Sequence, residues 1–310
     1  MLRIIRAGIH TSVQDGGRNG LRQSGISRCG ALDAPALRIA NLLVGNDLND
    51  AALEITLGQF EVEFTRAGWF ALTGAGCNAM LDDHAVWTGW RLPVKAGQRL
   101  TLSLPRRGMR SYLAVAGGLD VPLVMGSYST DLKAGIGGLE GRLLRAGDEL
   151  DVRPSGRQFR EARGVKQMLF GNRLRTLPGP EYHEFSPQAQ AMLWRTPWHL
   201  SPESNRMGYR LQGQLLERTT AREMLSHGLL PGVIQVPHGG QPIVLMNDAQ
   251  TTGGYPRIAF VIEADLWHLA QIRPGEPIHF VQCTHDQALQ ARVDHQRFFD
   301  QLTWRLNDAD

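Results

Sequence analysis

Phe60-Glu61-Val62-Glu63-Phe64 sets a large apolar side chain at every second position with an acid between. That period is the mark of a half-buried strand. Working outward, Trp69 to Thr73, Leu100 to Leu104 and Tyr112 to Val115 read as short strands punctuated by Gly and Pro. No helical period interrupts residues 52–152. Strands so spaced, without interleaved helices, predict a barrel or a sandwich and not a doubly wound sheet. The 35 glycines among 310 residues exceed the usual share of about 7% and fit many turns. Residues 94–100, 144–150 and 272–278 share one pattern: apolar, basic, small or Pro, Gly, polar, any, apolar. Glycine there supplies the positive φ of a turn before a strand. The echo suggests a related β unit in each half.

Helices are few. Asp33 can cap a helix running to about Val44, with Pro35 in its first turn and Gly45 ending it. Asn41 lies on its apolar face and is read as a satisfied buried amide. Ser186-Pro187 starts a helix to about Trp194, with Met192 and Leu193 inward, and residues 263–271 form a short one. In the tail, Leu289, Val293, Phe299, Leu302 and Leu306 lie near one stripe of a helix, expected to dock on the core. Residues 154–166 are polar and aperiodic, which places a boundary between units 1–153 and 165–310.

Charge excludes some functions. Thirty-three basic and 30 acidic residues leave a formal charge of +3, too little to argue for nucleic acid or an anionic membrane. Cys29, Cys77 and Cys283 are odd in number and dispersed, with neither disulfide nor zinc spacing. No apolar run approaches the roughly 18 residues of a membrane span, and no signal core follows the N-terminus; a cytoplasmic protein is expected. Residues 72–79 mimic G-x-G-x-x-A, but residues 90–115 hold no acid for a ribose, so the stretch reads as a turn. No Walker-type phosphate loop, zincin helix or nucleophile elbow is present, and the histidines are too scattered for a metal site.

Two stretches concentrate polar side chains and glycine. In the first, Gln14-Asp15-Gly16-Gly17-Arg18 leads to Arg28 and Gly30-Ala31-Leu32-Asp33. Arg18 and Arg28 either clamp a carboxylate or phosphate or, as an Asp15–Arg18 pair, hold a long loop together. The second contains Arg206, Gln235, Gln241 and the run Asn247-Asp248-Ala249-Gln250-Thr251-Thr252-Gly253-Gly254-Tyr255. Polar groups beyond a short strand at 243–246 are a usual place for a binding site. The amides of Gln235, Gln241 and Gln250 offer donors and acceptors to an amide- or urea-like molecule. Asp248 and Thr251 are the catalytic candidates; Arg18, Arg28, Arg206, Gln235, Gln241, Gln250 and Tyr255 are the substrate-binding ones. The bland alternative has Asp248 and Thr251 closing the turn.

These motifs, with Ala40-Asn41-Leu42-Leu43-Val44-Gly45-Asn46, Leu53-Glu54-Ile55-Thr56 and Gly208-Tyr209-Arg210-Leu211-Gln212-Gly213, resemble the allophanate hydrolase subunit 2 family, also called the biotin-dependent carboxyltransferase A/B-domain family. The likeness runs in order through nearly the whole chain; Leu32 stands where the family has methionine. It implies a mainly β chain of cyclophilin-like barrel architecture with two β-rich units. It also implies partners: an allophanate hydrolase subunit 1-like (KipI-like) chain and a lamB/YcsF-like chain. Short members of this kind belong to an ATP-dependent 5-oxoprolinase that opens the lactam to glutamate, with ATP and Mg used at the level of the complex and no biotin on this chain. The resemblance leaves two alternatives: a carboxyltransferase subunit acting on a urea-like substrate, and a non-catalytic antagonist of a kinase inhibitor.

Overall fold

The computed structural model describes residues 1–220 and 222–307. The chain is mostly β and divides into two compact units. Unit 1 takes Met1–Asn19, Cys29–Leu169 and the end of the chain from Leu302; unit 2 takes Gly20–Arg28 and Phe170–Gln301.

Unit 1 is built from two antiparallel sheets. One has seven strands in the order Leu119–Asp120, Glu149–Val152, Leu2–Ala7, Phe60–Phe64, Arg99–Leu102, Ala79–Leu81, His84–Val86. The other has six: Arg163–Gly164, Trp90–Val94, Gly68–Gly76, Arg107–Val115, Ala52–Thr56, His10–Gln14. Alternation does its work here. Phe60, Val62 and Phe64 point inward with Leu2, Ile4, Leu100 and Leu102, and meet Val13, Leu53, Ile55, Phe70 and Leu113 of the other sheet in one core. Of the barrel and sandwich alternatives, unit 1 takes the two-sheet one. Helix α1, Ala34–Leu43, packs on the second sheet, capped as expected: Asp33 Oδ1 accepts from Ala36 N at 2.9 Å. Asn41 is the satisfied amide, donating to Asp50 O at 2.8 Å.

Unit 2 is a closed seven-stranded barrel: Arg173–Pro178, Arg257–Val261, Val233–Gln235, Ile243–Leu245, Gly208–Gln212, Trp198–Leu200, Pro277–Gln282. A parallel pairing of Arg173–Pro178 with Pro277–Gln282 shuts it, which removes the exposed edges. Helices α2, Pro187–Arg195, and α3, Glu263–Leu269, belong to this unit. The three echoed turns carry Gly97, Gly147 and Gly275 at φ of +85°, +91° and +85°, each before a strand.

Three expectations shift. Residues 154–166, where the sequence places the boundary, lie within unit 1: Arg163–Gly164 pairs with Trp90–Val94 and Phe159 stands edge-on to Trp69 at 5.5 Å, and just beyond them Gln167 Oε1 accepts from Gly74 N at 2.7 Å. The division falls after Leu169. The segment 20–28, placed by sequence in the first unit, is bonded into the second. In the tail helix α4, His285–Asn307, Phe299, Leu302 and Leu306 are buried as expected, but Leu289 and Val293 are 53% and 47% exposed. Ala291 is buried in their place.

Asp15 anchors unit 1. Its buried carboxylate accepts from Gly17 N at 2.7 Å, Ser127 Oγ at 2.6 Å, Tyr128 N at 2.6 Å and Ser129 Oγ. We expect Asp15→Asn, whose amide donates where donors converge, to destabilise the fold by about 3 kcal/mol or more, read as a fall in the urea midpoint. In unit 2, His268 Nδ1 accepts from Gly171 N at 3.2 Å and its ring stacks on Trp267 at 4.0 Å. Burial drives its pKa down from 6.5 to about 4, against the pull of Asp265. The unfolded chain therefore binds this proton near pH 6.5 and the folded chain only near 4, so stability falls as pH drops through that window. His268→Asn, which keeps an acceptor, should flatten the urea midpoint between pH 6.5 and 4 relative to wild type.

Candidate functional site

The polar motifs fall in both units, and in each they first serve the backbone. In unit 1, Arg18 is fully buried. It donates through Nε to Val124 O at 3.2 Å and through Nη2 to Ser129 O at 2.6 Å. Gln14 Nε2 donates to Ser12 Oγ at 3.0 Å and Thr130 O at 3.3 Å. This is the loop-holding alternative in structural form, although Asp15 and Arg18 hold the 124–130 segment side by side instead of pairing. Nearby, buried Glu54 accepts from Leu32 N at 2.9 Å and from the Tyr112 hydroxyl at 2.7 Å, while the Tyr112 oxygen accepts from Asp33 N at 2.8 Å. Burial, with Glu54 beside it, pushes the Tyr112 phenol well above its ordinary value, so it stays a donor to Glu54 at any working pH.

In unit 2 the segment 20–28 is drawn onto the loop after Ile243–Leu245. Arg22 Nη2 donates to Leu229 O at 2.7 Å and Gln250 O at 3.1 Å, and Ser27 Oγ to Ala249 O at 3.3 Å. Arg206 and Asp248 form a buried two-point ion pair, Nε to Oδ2 at 2.8 Å and Nη2 to Oδ1 at 3.0 Å. Asp248 N also donates to Arg206 O at 3.0 Å. Buried Gln235 donates to Tyr255 O at 3.3 Å. Thr251 offers its carbonyl to Leu229 N at 2.8 Å. Gln241 makes a reciprocal pair with the Gly213 backbone, 3.0 Å and 2.8 Å. Arg28 is half-buried. The structure thus gathers Arg206, Asp248, Gln250 and Thr251 around one loop of unit 2, sets Gln235 and Tyr255 beside it, and holds Gln241 at Gly213; Arg28 follows Ser27 on the segment that bonds to this loop. Arg18 belongs to unit 1.

Open space in unit 2 borders Pro256, just beyond this loop, and none of Arg206, Asp248, Gln250 and Thr251 lines it. A cavity of about 630 Å3 is bounded by the start of α2, residues 215–218, 220, 222 and 223, and the Val236–Gly240 turn. Phe185, Ala189, Leu216, Val236 and Pro256 give it an apolar floor, with Met192, Arg218, Arg222 and His238 around it. Glu184 ties the two arginines together: Arg218 donates from Nε at 3.0 Å and Arg222 from Nη2 at 2.6 Å. His238 stands edge-on to the exposed Tyr255 ring at 6.1 Å. A smaller hollow of about 290 Å3 shares Pro237 and Gly239 and reaches Gln241, Glu203 and Arg210. The sequence reading missed Arg218, Arg222 and His238; the one local signal was two arginines four apart before the Gly-Pro-rich turn.

A two-sheet unit and a closed barrel with these loops define a class. The family model of the carboxyltransferase domain, subdomain A and B, matches residues 24–282, and the chain belongs to that family. It is 74% identical to the 5-oxoprolinase C-subunit of Escherichia coli K12, with 99% of each chain covered. To the 5-oxoprolinase C-subunit of Haemophilus influenzae Rd it is 45% identical, with 97% of each covered. The crystal structure of K. lactis urea amidolyase matches at a TM-score of 0.91 and 28% identity, over 97% of this chain and 20% of that one.

The ion pair changes what a substitution reads. Asp248→Asn is near in shape, and the sequence alone makes it look mild. With Arg206 buried against it, loss of the carboxylate breaks a buried two-point pair, at about 3–5 kcal/mol. We expect Asp248→Asn to unfold at clearly lower urea, and Arg206→Met with Asp248→Leu to cost less than Asp248→Asn alone.

Proposed function

We propose that the chain works as a subunit of a multi-subunit, ATP-dependent 5-oxoprolinase of the cytoplasm, opening 5-oxoproline to glutamate together with a subunit 1-like (KipI-like) chain and a lamB/YcsF-like chain. The observation that carries this is the 74% identity to a 5-oxoprolinase C-subunit across 99% of both chains. The chemistry has a physical motive. A lactam carbonyl is stabilised by resonance; phosphoryl transfer from ATP to its oxygen lets water attack the carbon, the ring C–N bond then breaks with a proton going to nitrogen, and a second water displaces phosphate from the resulting acyl phosphate to leave glutamate.

Within this reading the unit 2 cavity receives the substrate. Its apolar floor suits a small ring, and Arg222 at its wall suits the ring's carboxylate. Arg206 and Asp248 act behind the loop as a positioning pair. Tyr255, edge-on to His238 of the cavity wall, stays as a substrate contact, whereas Gln250 and Thr251 lie on the loop and do not line the cavity. ATP enters at the level of the complex. Among the described residues no group of three or more His, Cys, Asp or Glu could hold a metal ion. No step here is routed through a metal held by this chain. Among the described residues no helix is long and apolar enough to cross a membrane.

The test combines this chain with both companion proteins and measures ATP hydrolysis that depends on 5-oxoproline, with glutamate released. We expect turnover by the full set and none by this chain alone. In the full set, Arg222→Ala should raise KM by about tenfold or more with kcat little changed. No turnover by the full set overturns the reading. Turnover by the single chain overturns the need for partners.

A further inference from the structure

One carboxylate in unit 2 serves two arginines of unequal exposure. Glu184 is 21% exposed and Arg218 18%, whereas Arg222 is 60% exposed. Arg218 places both Nε, at 3.0 Å, and Nη2 on Glu184 Oε2. Oε1 is left for Arg222 Nη2, at 2.6 Å. The backbone is tied at the same point. Arg218 Nη1 donates to Arg222 O at 3.0 Å, and Thr219 donates through N and Oγ1 to Glu184 O at 2.8 Å and 2.9 Å. Along the 217–222 stretch the sheet pattern amounts to one isolated bridge, Arg218 to Phe185. The bonds to Glu184 therefore set its course.

Two tasks are separated in this way. Arg218 is committed to Glu184 and to the Arg222 carbonyl. Arg222 gives one N–H to Glu184 and lines the cavity, and its Nε and Nη1 make no hydrogen bond among the described residues. An exposed arginine loses much rotamer freedom when it takes a ligand; held by Glu184, Arg222 has lost part of it beforehand. Charge narrows the ligand. Glu217 and Glu223 also line this wall, so with Glu184 three carboxylates accompany two guanidiniums here. Such a wall does not concentrate a polyanion by its field. It suits a single carboxylate, taken through directed hydrogen bonds from one guanidinium.

We propose that Glu184 is a positioning residue: it sets Arg222 toward the cavity for the one carboxylate of a small ligand, with Arg218 as its buttress. This rests on the reading of the cavity given above and extends it to a residue that does not line the cavity.

The test uses this chain with both companion proteins and reads KM and kcat for 5-oxoproline. The variants are Arg222→Ala, Glu184→Gln, Glu184→Asp and the pair Glu184→Gln with Arg222→Ala. Glu184→Gln keeps the shape and weakens the bonds to both arginines. Glu184→Asp keeps the charge on an arm too short to serve both. Each should raise KM about fivefold, with kcat within about twofold of wild type. In the pair, KM should match Arg222→Ala alone, because Glu184 acts through Arg222. Where Glu184→Gln lowers the melting temperature, Glu184→Asp and its own pair with Arg222→Ala give the same readings. An unchanged or lowered KM in either folded Glu184 variant, or a KM in the pair that multiplies the two single effects, overturns the positioning role and leaves the functional reading standing. An unchanged KM in Arg222→Ala removes the carboxylate contact from the cavity and this inference with it. No turnover by the wild-type set overturns the functional reading itself.

Discussion

One buried carboxylate organises unit 1. Asp15 lies at the end of the His10–Gln14 strand, where the chain leaves the sheet, and gathers two backbone N–H groups and two hydroxyls. A carboxylate taken out of water must be met by donors or it is costly. Here all of its donors come from segments with no regular structure of their own. The same residue's carbonyl accepts from Ala31 N at 2.9 Å, which closes the neck of the loop that leads to α1. Gly30, at φ +86°, can sit there only because it lacks a side chain: a Cβ would lie 2.9 Å from the Gly17 backbone. Gly137 is set against Ser129 O and the Arg18 guanidinium in the same way. The loops of unit 1 are therefore packed to a fixed shape around Asp15 and Arg18.

Unit 2 solves the same problem with ion pairs. Arg206–Asp248, Arg257–Glu181 and Arg218–Glu184 each join distant stretches of chain around the barrel. Paired and hydrogen-bonded, such charges are tolerated where single ones are not. The consequence for function is a division of labour. The residues richest in hydrogen-bonding chemistry hold the loops, and the space they leave is lined by plainer ones: Phe185, Leu216, Val236 and Pro256 beneath Arg222 and His238. A chain built this way holds its loops and the cavity beside them to a fixed shape.

Several features were legible before the fold was known, and each is local. The alternation of 60–64 placed a strand with its apolar face inward. Asp33 and Ser186 marked helix starts because an oxygen one residue ahead of a helix meets its free N–H groups. Glycines before strands marked turns because only they take positive φ freely. The ordered series of motifs carried the family. By contrast, α4 misled at Leu289 and Val293. Both are apolar and correctly spaced, but Ala291, one of the smallest candidates, is the residue that fits against the barrel.

What the sequence determined by itself was therefore the list of strands, caps and turns, and membership of a family, since these depend on short-range backbone preferences and on order along the chain. The tertiary structure decided everything that depends on which distant group answers a buried charge. By sequence Arg18 reads as an anion clamp or a loop holder and Asp248 as a catalytic group or a turn closer; the fold supplies Ser129 O as a partner for one and Arg206 for the other. It also decided that segment 20–28 belongs with the barrel, because Arg22 finds its acceptors at Leu229 and Gln250, more than 200 residues away. No local pattern encodes such a partner; it exists only once the chain has closed on itself.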